Sequence, residues 1–108
     1  MLFDAGRREE GLAHLERAAA LSPGEGDAAF DIGTILLGDG NFPAAADRFK
    51  AVIAVRPKWV QAHNNLGIAL ASMGRIDEAI TEFRAALAID PKFSQAQDNL
   101  QHALALKK

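Results

Sequence analysis

The sequence repeats itself every 34 residues, and that period limits what the chain can fold into more than any other feature. Pro23, Pro57 and Pro91 keep this step, as do Gly6, Gly40 and Gly74; Leu15, Phe49 and Phe83; and Gly11, Ala45 and Ala79. So do Ile32, Leu66 and Leu100, and the series Leu2, Leu36, Leu70 and Leu104. Laid side by side without gaps, residues 26–59 and 60–93 agree at ten positions, Gly33/Gly67, Phe49/Phe83 and Pro57/Pro91 among them. A unit this short cannot bury its own apolar face, so copies must stack and share one core.

Each unit reads as two helices. Over 60–73, Ala62, Leu66, Ala69, Leu70 and Met73 fall at steps of three and four, the spacing of one helix face. Gly74 then suits a left-handed helix stop. Ile76, Ala79, Ile80, Phe83, Ala86, Leu87 and Ile89 resume the pattern over 76–89, and Pro91 ends it by restricting Asp90. The preceding unit predicts helices over about 28–38 and 42–55. Asn41 is its expected N-cap, and Pro43 lies in the first turn, where a missing N–H is harmless. Turns of three or four residues make neighbouring helices antiparallel. Residues 7–21 match only a second helix and 94–106 only a first, so the expected total is six.

Composition narrows the function classes. The 108 residues carry 12 Lys+Arg against 14 Asp+Glu, a formal net charge of −2, so there is no basic field for nucleic acid. Cysteine is absent, which excludes disulfide frameworks, Cys-ligated zinc and thiol catalysis. No apolar run approaches the ~18–20 residues of a membrane span. Met1-Leu2-Phe3, followed at once by Asp4 and Arg7-Arg8-Glu9-Glu10, does not read as a signal peptide. A cytoplasmic setting is favoured. His14, His63 and His102 never pair at the i,i+4 spacing of a metal-binding helix, and no phosphate loop is formed. Neither a metal, a cofactor nor catalysis is expected. Asp77 and Glu78 read as first-turn charges favoured by the helix dipole, and Glu82 as a carboxylate close to Lys/Arg neighbours. Trp59 reads as a packing residue shared between units.

Leu66-Gly67, Leu70, Ala79, Phe83, Ala86 and Pro91 in one unit, with Ile32-Gly33, Leu36, Ala45, Phe49, Val52 and Pro57 in the other, resemble the tetratricopeptide repeat pattern. The early Trp of that pattern is replaced by Ala29 and His63, and its first-helix aromatic by Leu36 and Leu70. The resemblance covers essentially the whole chain. It implies an all-α, right-handed α-α superhelix of six antiparallel helices in one domain, 1–108. Within it 1–25 is a partial repeat, mainly a second helix, 26–59 and 60–93 are full repeats, and 94–108 is a C-terminal capping helix. Gly33, Gly67, Ala45 and Ala79 should mark the closest helix crossings, with Leu66, Leu70, Phe83 and Leu87 filling the space between repeats. Gln97, Asp98, Gln101, His102, Lys107 and Lys108 solvate the last helix. At the other end Leu12, Leu15 and Leu21 lack most of the helix that would cover them. That favours a piece of a longer array over a fold-back of Leu2–Phe3 or cover by a second copy.

The resemblance also implies a concave face lined by first helices. The groove residues are then Asp27, Phe30, Asp31 and Thr34; Gln61, Asn64, Asn65 and Ile68; and Gln95, Asp98, Asn99 and His102. Asp31, Asn65 and Asn99 recur at the repeat step. An amide carries both donor and acceptor, so such a column suits the main chain of an extended peptide. Asn64-Asn65-Leu66-Gly67 is similar to the asparagine-bearing repeats of the O-linked N-acetylglucosamine transferases and of bacterial arrays. The alternative is that Asn65 and Asn99 are ordinary solvated residues retained after duplication. The Lys/Arg clamp by which chaperone-binding repeats grip a terminal carboxylate is missing, because Phe30, Thr34, Gln95 and Asn99 occupy its places and only Asn65 fits. The expected function is a noncatalytic scaffold for a protein or peptide partner, neutral or basic. The alternatives are the docking arm of a larger enzyme such as a glycosyltransferase, and a homodimer through the N-terminal helix.

Overall fold

The computed structural model describes residues 26–107. They form five helices and no strand: α1 (Gly26–Gly38), α2 (Phe42–Val55), α3 (Val60–Ser72), α4 (Ile76–Ile89) and α5 (Ser94–Lys107). The expected boundaries hold to within two residues. The sixth helix, expected over 7–21, lies outside the described residues, as do Leu2–Phe3, Leu12, Leu15 and Leu21, so five helices stand where six were counted. Successive helices pack on each other in chain order, and α3 also touches both α1 and α5.

Two kinds of turn alternate. After α1 and α3 the helix stops on a glycine with positive φ, +82° at Gly40 and +81° at Gly74. The next residue's N–H reaches back five positions, Asn41 to Leu36 O at 2.9 Å and Arg75 to Leu70 O at 2.9 Å. The glycine's own N–H bonds Leu37 O or Ala71 O inside that loop. Asn41 was expected to cap α2 through its side chain. It makes no such bond, because its main chain is already held by the α1 stop, at φ −90° and ψ 72°. Arg75 repeats this arrangement before α4.

After α2 and α4 the stop is a proline. Arg56 and Asp90 close the helices with N–H bonds to Val52 O and Ala86 O, and Asp90 Oδ1 accepts from Lys92 N–H at 3.1 Å. The exposed carbonyls of Pro57 and Pro91 are then claimed by the following first helix: His63 Nε2 donates to Pro57 O and Gln97 Nε2 to Pro91 O, each at 2.7 Å. His63 stands where the family pattern has its early Trp, and Gln97 lies one period later. A polar strap thus replaces an aromatic wedge. His63 Nδ1 also lies 2.9 Å from Glu82 Oε1, with side chains 11% and 23% exposed. Glu82 was expected close to Lys/Arg neighbours; the partner seen for it is His63, which comes from α3. Replacing His63 by alanine should remove both bonds and leave the Pro57 carbonyl to water, lowering stability by about 0.5–1.5 kcal/mol in urea unfolding while far-UV helicity persists.

One apolar cluster runs through all five helices, joining Leu36, Ala45, Phe49, Leu66, Leu70, Ala79, Ile80, Phe83 and Ala103. Leu87, expected to help fill the space between repeats, is only half-buried. A smaller cluster of Ala29, Val52 and Ala62 is roofed by Phe30 and Trp59. At the crossings the fit is set by a ring on a glycine. A Cβ on Gly67 would lie 2.5 Å from Phe83 Cε1, and one on Gly33 2.9 Å from Phe49 Cε1. In α5 the equivalent position is Gln101, which is exposed because no second helix follows it among the described residues.

Candidate functional site

The first helices α1, α3 and α5 carry the residues expected to face a ligand. On α3, Asn64, Ile68, Ala71 and Ser72 follow one face at steps of three and four. On α5, Asn99, His102, Ala103 and Leu106 do the same. These stripes oppose each other across a partly open cleft of about 240 Å³, lined by Ile68, Ala71, Ser72, Asn99, His102, Ala103, Leu106 and, from α4, Phe83. Its walls are mostly carbon, with polar groups contributed by Ser72, Asn99 and His102. Leu106 is 56% exposed, a high value for a large apolar side chain.

Asn99 is tied to the cleft's edge. Its Nδ2 donates to Asn64 Oδ1 at 3.0 Å, a bond between two adjacent first helices. Asn64 was expected in the groove but is 0% exposed, and its own Nδ2 has no partner. The cause is helix phase. Asn64 and Asn65 differ by ~100° around α3, and packing of α5 covers the first while leaving the second half-exposed.

The remaining expected positions divide. Asp31, Gln61, Gln95 and Asp98 are exposed. Thr34 is exposed, but its hydroxyl donates back to Phe30 O at 2.9 Å. Phe30 is half-buried and spent on packing: its ring stacks on Trp59 at 4.4 Å and meets Phe49 edge-on at 5.7 Å. Trp59 also packs on the small cluster to which Ala62 of the next repeat belongs. Asp27 is answered by Arg56, 2.8 Å away, whose guanidinium also lies 5.0 Å over the Trp59 ring. Only Ile68, Asn99 and His102 of the twelve expected residues meet in the cleft. Ala71, Ser72, Phe83, Ala103 and Leu106 were missed. The available signal was spacing, since Ala71 and Ser72 follow Ile68 by three and four, and Leu106 follows His102 by four.

No cluster of three metal-binding side chains occurs among the described residues, and none of their helices is long and apolar enough to cross a membrane.

The tetratricopeptide repeat profile matches residues 2–47 and 30–94. No curated protein matches the chain. Among solved structures, a crystal structure of MamA superposes with TM-score 0.78 at 25% identity, over 97% of this chain and 61% of that one. MamA from Desulfovibrio magneticus RS-1 gives 0.77 at 22% identity, over 98% and 60%. The first TPR of Spaghetti (RPAP3), solved with the HSP90 peptide SRMEEVD, gives 0.78 at 17% identity, over 98% and 85%. The chain thus spans about three-fifths of these two MamA chains. With the ring-on-glycine crossings, the two alternating turns and the profile match over most of its length, the chain belongs to the tetratricopeptide repeat family.

Proposed function

We propose that this chain is a noncatalytic scaffold whose repeats form a right-handed superhelix and hold an extended peptide along the concave face of the first helices. The observation that carries this reading is the cleft between α3 and α5, where Ile68, Asn99 and His102 converge; Asn65 is half-exposed on α3 without lining it. Family membership and the peptide-bound Spaghetti repeat support a peptide as the occupant. The charges differ from those suited to an acidic tail. Asp31 and Asp98 are exposed on first helices, whereas Arg56 is engaged by Asp27 and Trp59. A neutral or basic segment suits this face better, in a cytoplasmic setting.

The test is capture from a random-sequence peptide library by the purified chain. Combined Asn65→Ala and Asn99→Ala should weaken capture at least tenfold. Asn65→Ala alone should leave the melting curve nearly unchanged, whereas Asn99→Ala also removes the one bond of buried Asn64 and lowers the melting temperature. Undiminished capture by the double variant removes the amide column from the reading.

A further inference from the structure

Asn64 is an unusual residue to bury, since an amide with an unpaired donor costs about 1–3 kcal/mol when sealed from water. Its single bond, from Asn99 Nδ2 at 3.0 Å, survives if both amides turn over together, because nitrogen and oxygen then exchange places at both ends. In one setting Asn99 keeps Oδ1 and one N–H for other partners. In the other it accepts from Asn64 and keeps both its N–H groups. Either way Asn99, which is half-buried and lines the cleft, is held by a partner that has no exposure of its own. A peptide main chain, offering N–H and C=O in alternation, is the ligand such a two-way amide fits.

The cleft beside it fixes the side chain. At about 240 Å³ it exceeds the roughly 150 Å³ of an apolar cavity that admits benzene. It falls short of the ~300 Å³ at which small-molecule and cofactor pockets begin. Ile68, Ala71, Phe83, Ala103 and Leu106 give it an apolar lining, and no Asp, Glu, Lys or Arg among the described residues lines it. Asp98, exposed on α5 one residue before Asn99, and Asp31 on α1 supply negative charge along the same series of first helices.

Resting on the peptide-groove reading, we propose that the α3–α5 cleft is an anchor subsite for one bulky apolar side chain of a lysine- or arginine-bearing peptide. Asn99 takes the main chain next to that side chain, and Asn64 is the positioning residue that orients Asn99.

The probe is a set of biotinylated nonapeptides with two lysines at each end and Gly-Ser spacers around one central residue, either Gly, Ala, Leu, Phe or Asp. Retention of the Leu and Phe peptides should exceed that of the Gly and Asp peptides by at least tenfold. Leu106→Ser, at an exposed rim position, should bring the Leu-to-Gly ratio toward one. Asn64→Leu and Asn99→Ala should instead weaken every peptide alike and leave that ratio standing. Because Asn64→Leu perturbs a buried site, the side-chain amide signals of Asn64 and Asn99 in a ¹H–¹⁵N spectrum provide a second readout. Both should move when the Leu peptide is added to the unaltered chain. Equal retention of the Leu and Gly peptides, or indifference to Leu106→Ser, overturns the anchor while leaving the groove reading intact. Movement of the Asn99 signal alone removes Asn64 from its role. If the unaltered chain retains none of the peptides, both readings fall for basic ligands.

Discussion

Phe83→Ala is expected to cost about 3–5 kcal/mol, the usual range for truncating a fully buried aromatic. The ring is 2% exposed, belongs to the cluster that crosses all five helices, and presses on the backbone of Gly67 from the adjoining helix. Removing it leaves a hole bounded by a glycine, which has no side chain to swing in, so the site collapses poorly and the cavity contribution stays near its upper limit. Since the ring also lines the cleft, the variant should lose peptide capture together with stability. Urea unfolding followed by circular dichroism measures the first effect. A variant less than 1 kcal/mol below the unaltered chain would show that the neighbouring helices refill the space.

The reverse experiment adds a methyl group where there is no room. Helix propensity alone says that Gly67→Ala should gain about 1 kcal/mol. The geometry opposes it: the new carbon would meet Phe83 Cε1, Cδ1 and Cζ at 2.5, 2.7 and 2.9 Å. The ring or the α3 backbone must shift to make room, which disturbs the packing of the buried cluster the ring belongs to. Overpacking of this kind costs about 1–3 kcal/mol net, with larger side chains costing more. For a domain of this size each kcal/mol lowers Tm by roughly 4–8 °C. Gly33→Ala meets Phe49 at 2.9 and 3.0 Å and Arg48 Cβ at 3.1 Å, so its penalty should be smaller and closer to balance with the propensity gain. Combining Gly67→Ala with Phe83→Leu should cost less than the sum of the two single changes, because the shorter side chain vacates the contact. Thermal melts of these variants establish the order, and a Gly67→Ala protein more stable than its parent would contradict the ring-on-glycine account.

What the sequence disclosed was what local rules control. Gly40, Gly74, Pro57 and Pro91 punctuate the helices through their own torsions, so the boundaries they set were readable without knowledge of any neighbour. The fate of Asn64 was not readable. It and Asn65 straddle the border of an apolar stripe, and which one is covered depends on how α5 is rotated against α3. Pairing of Glu82 with His63 across two helices escaped for the same reason, since sequence spacing shows partners on one helix and not those on the next. Leu106 and Ala71 were passed over because an apolar residue on a helix is read as core by default, whereas here they wall a cleft at the last stacked layer.

The glycine turns leave the chain no slack. Across 39–41 every amide is engaged, Asp39 with Ile35 O, Gly40 with Leu37 O and Asn41 with Leu36 O, and the Asn41 carbonyl already accepts from Ala45. An inserted residue there would displace the glycine from the one spot needing its torsion and shear the two helices out of step. The proline turns on the opposite edge are laced as closely, with the Pro57 and Pro91 carbonyls taken by His63 and Gln97 and the Trp59 and Phe93 amides bonded to Arg56 O and Asp90 O. Both rims therefore hold each repeat to a constant length.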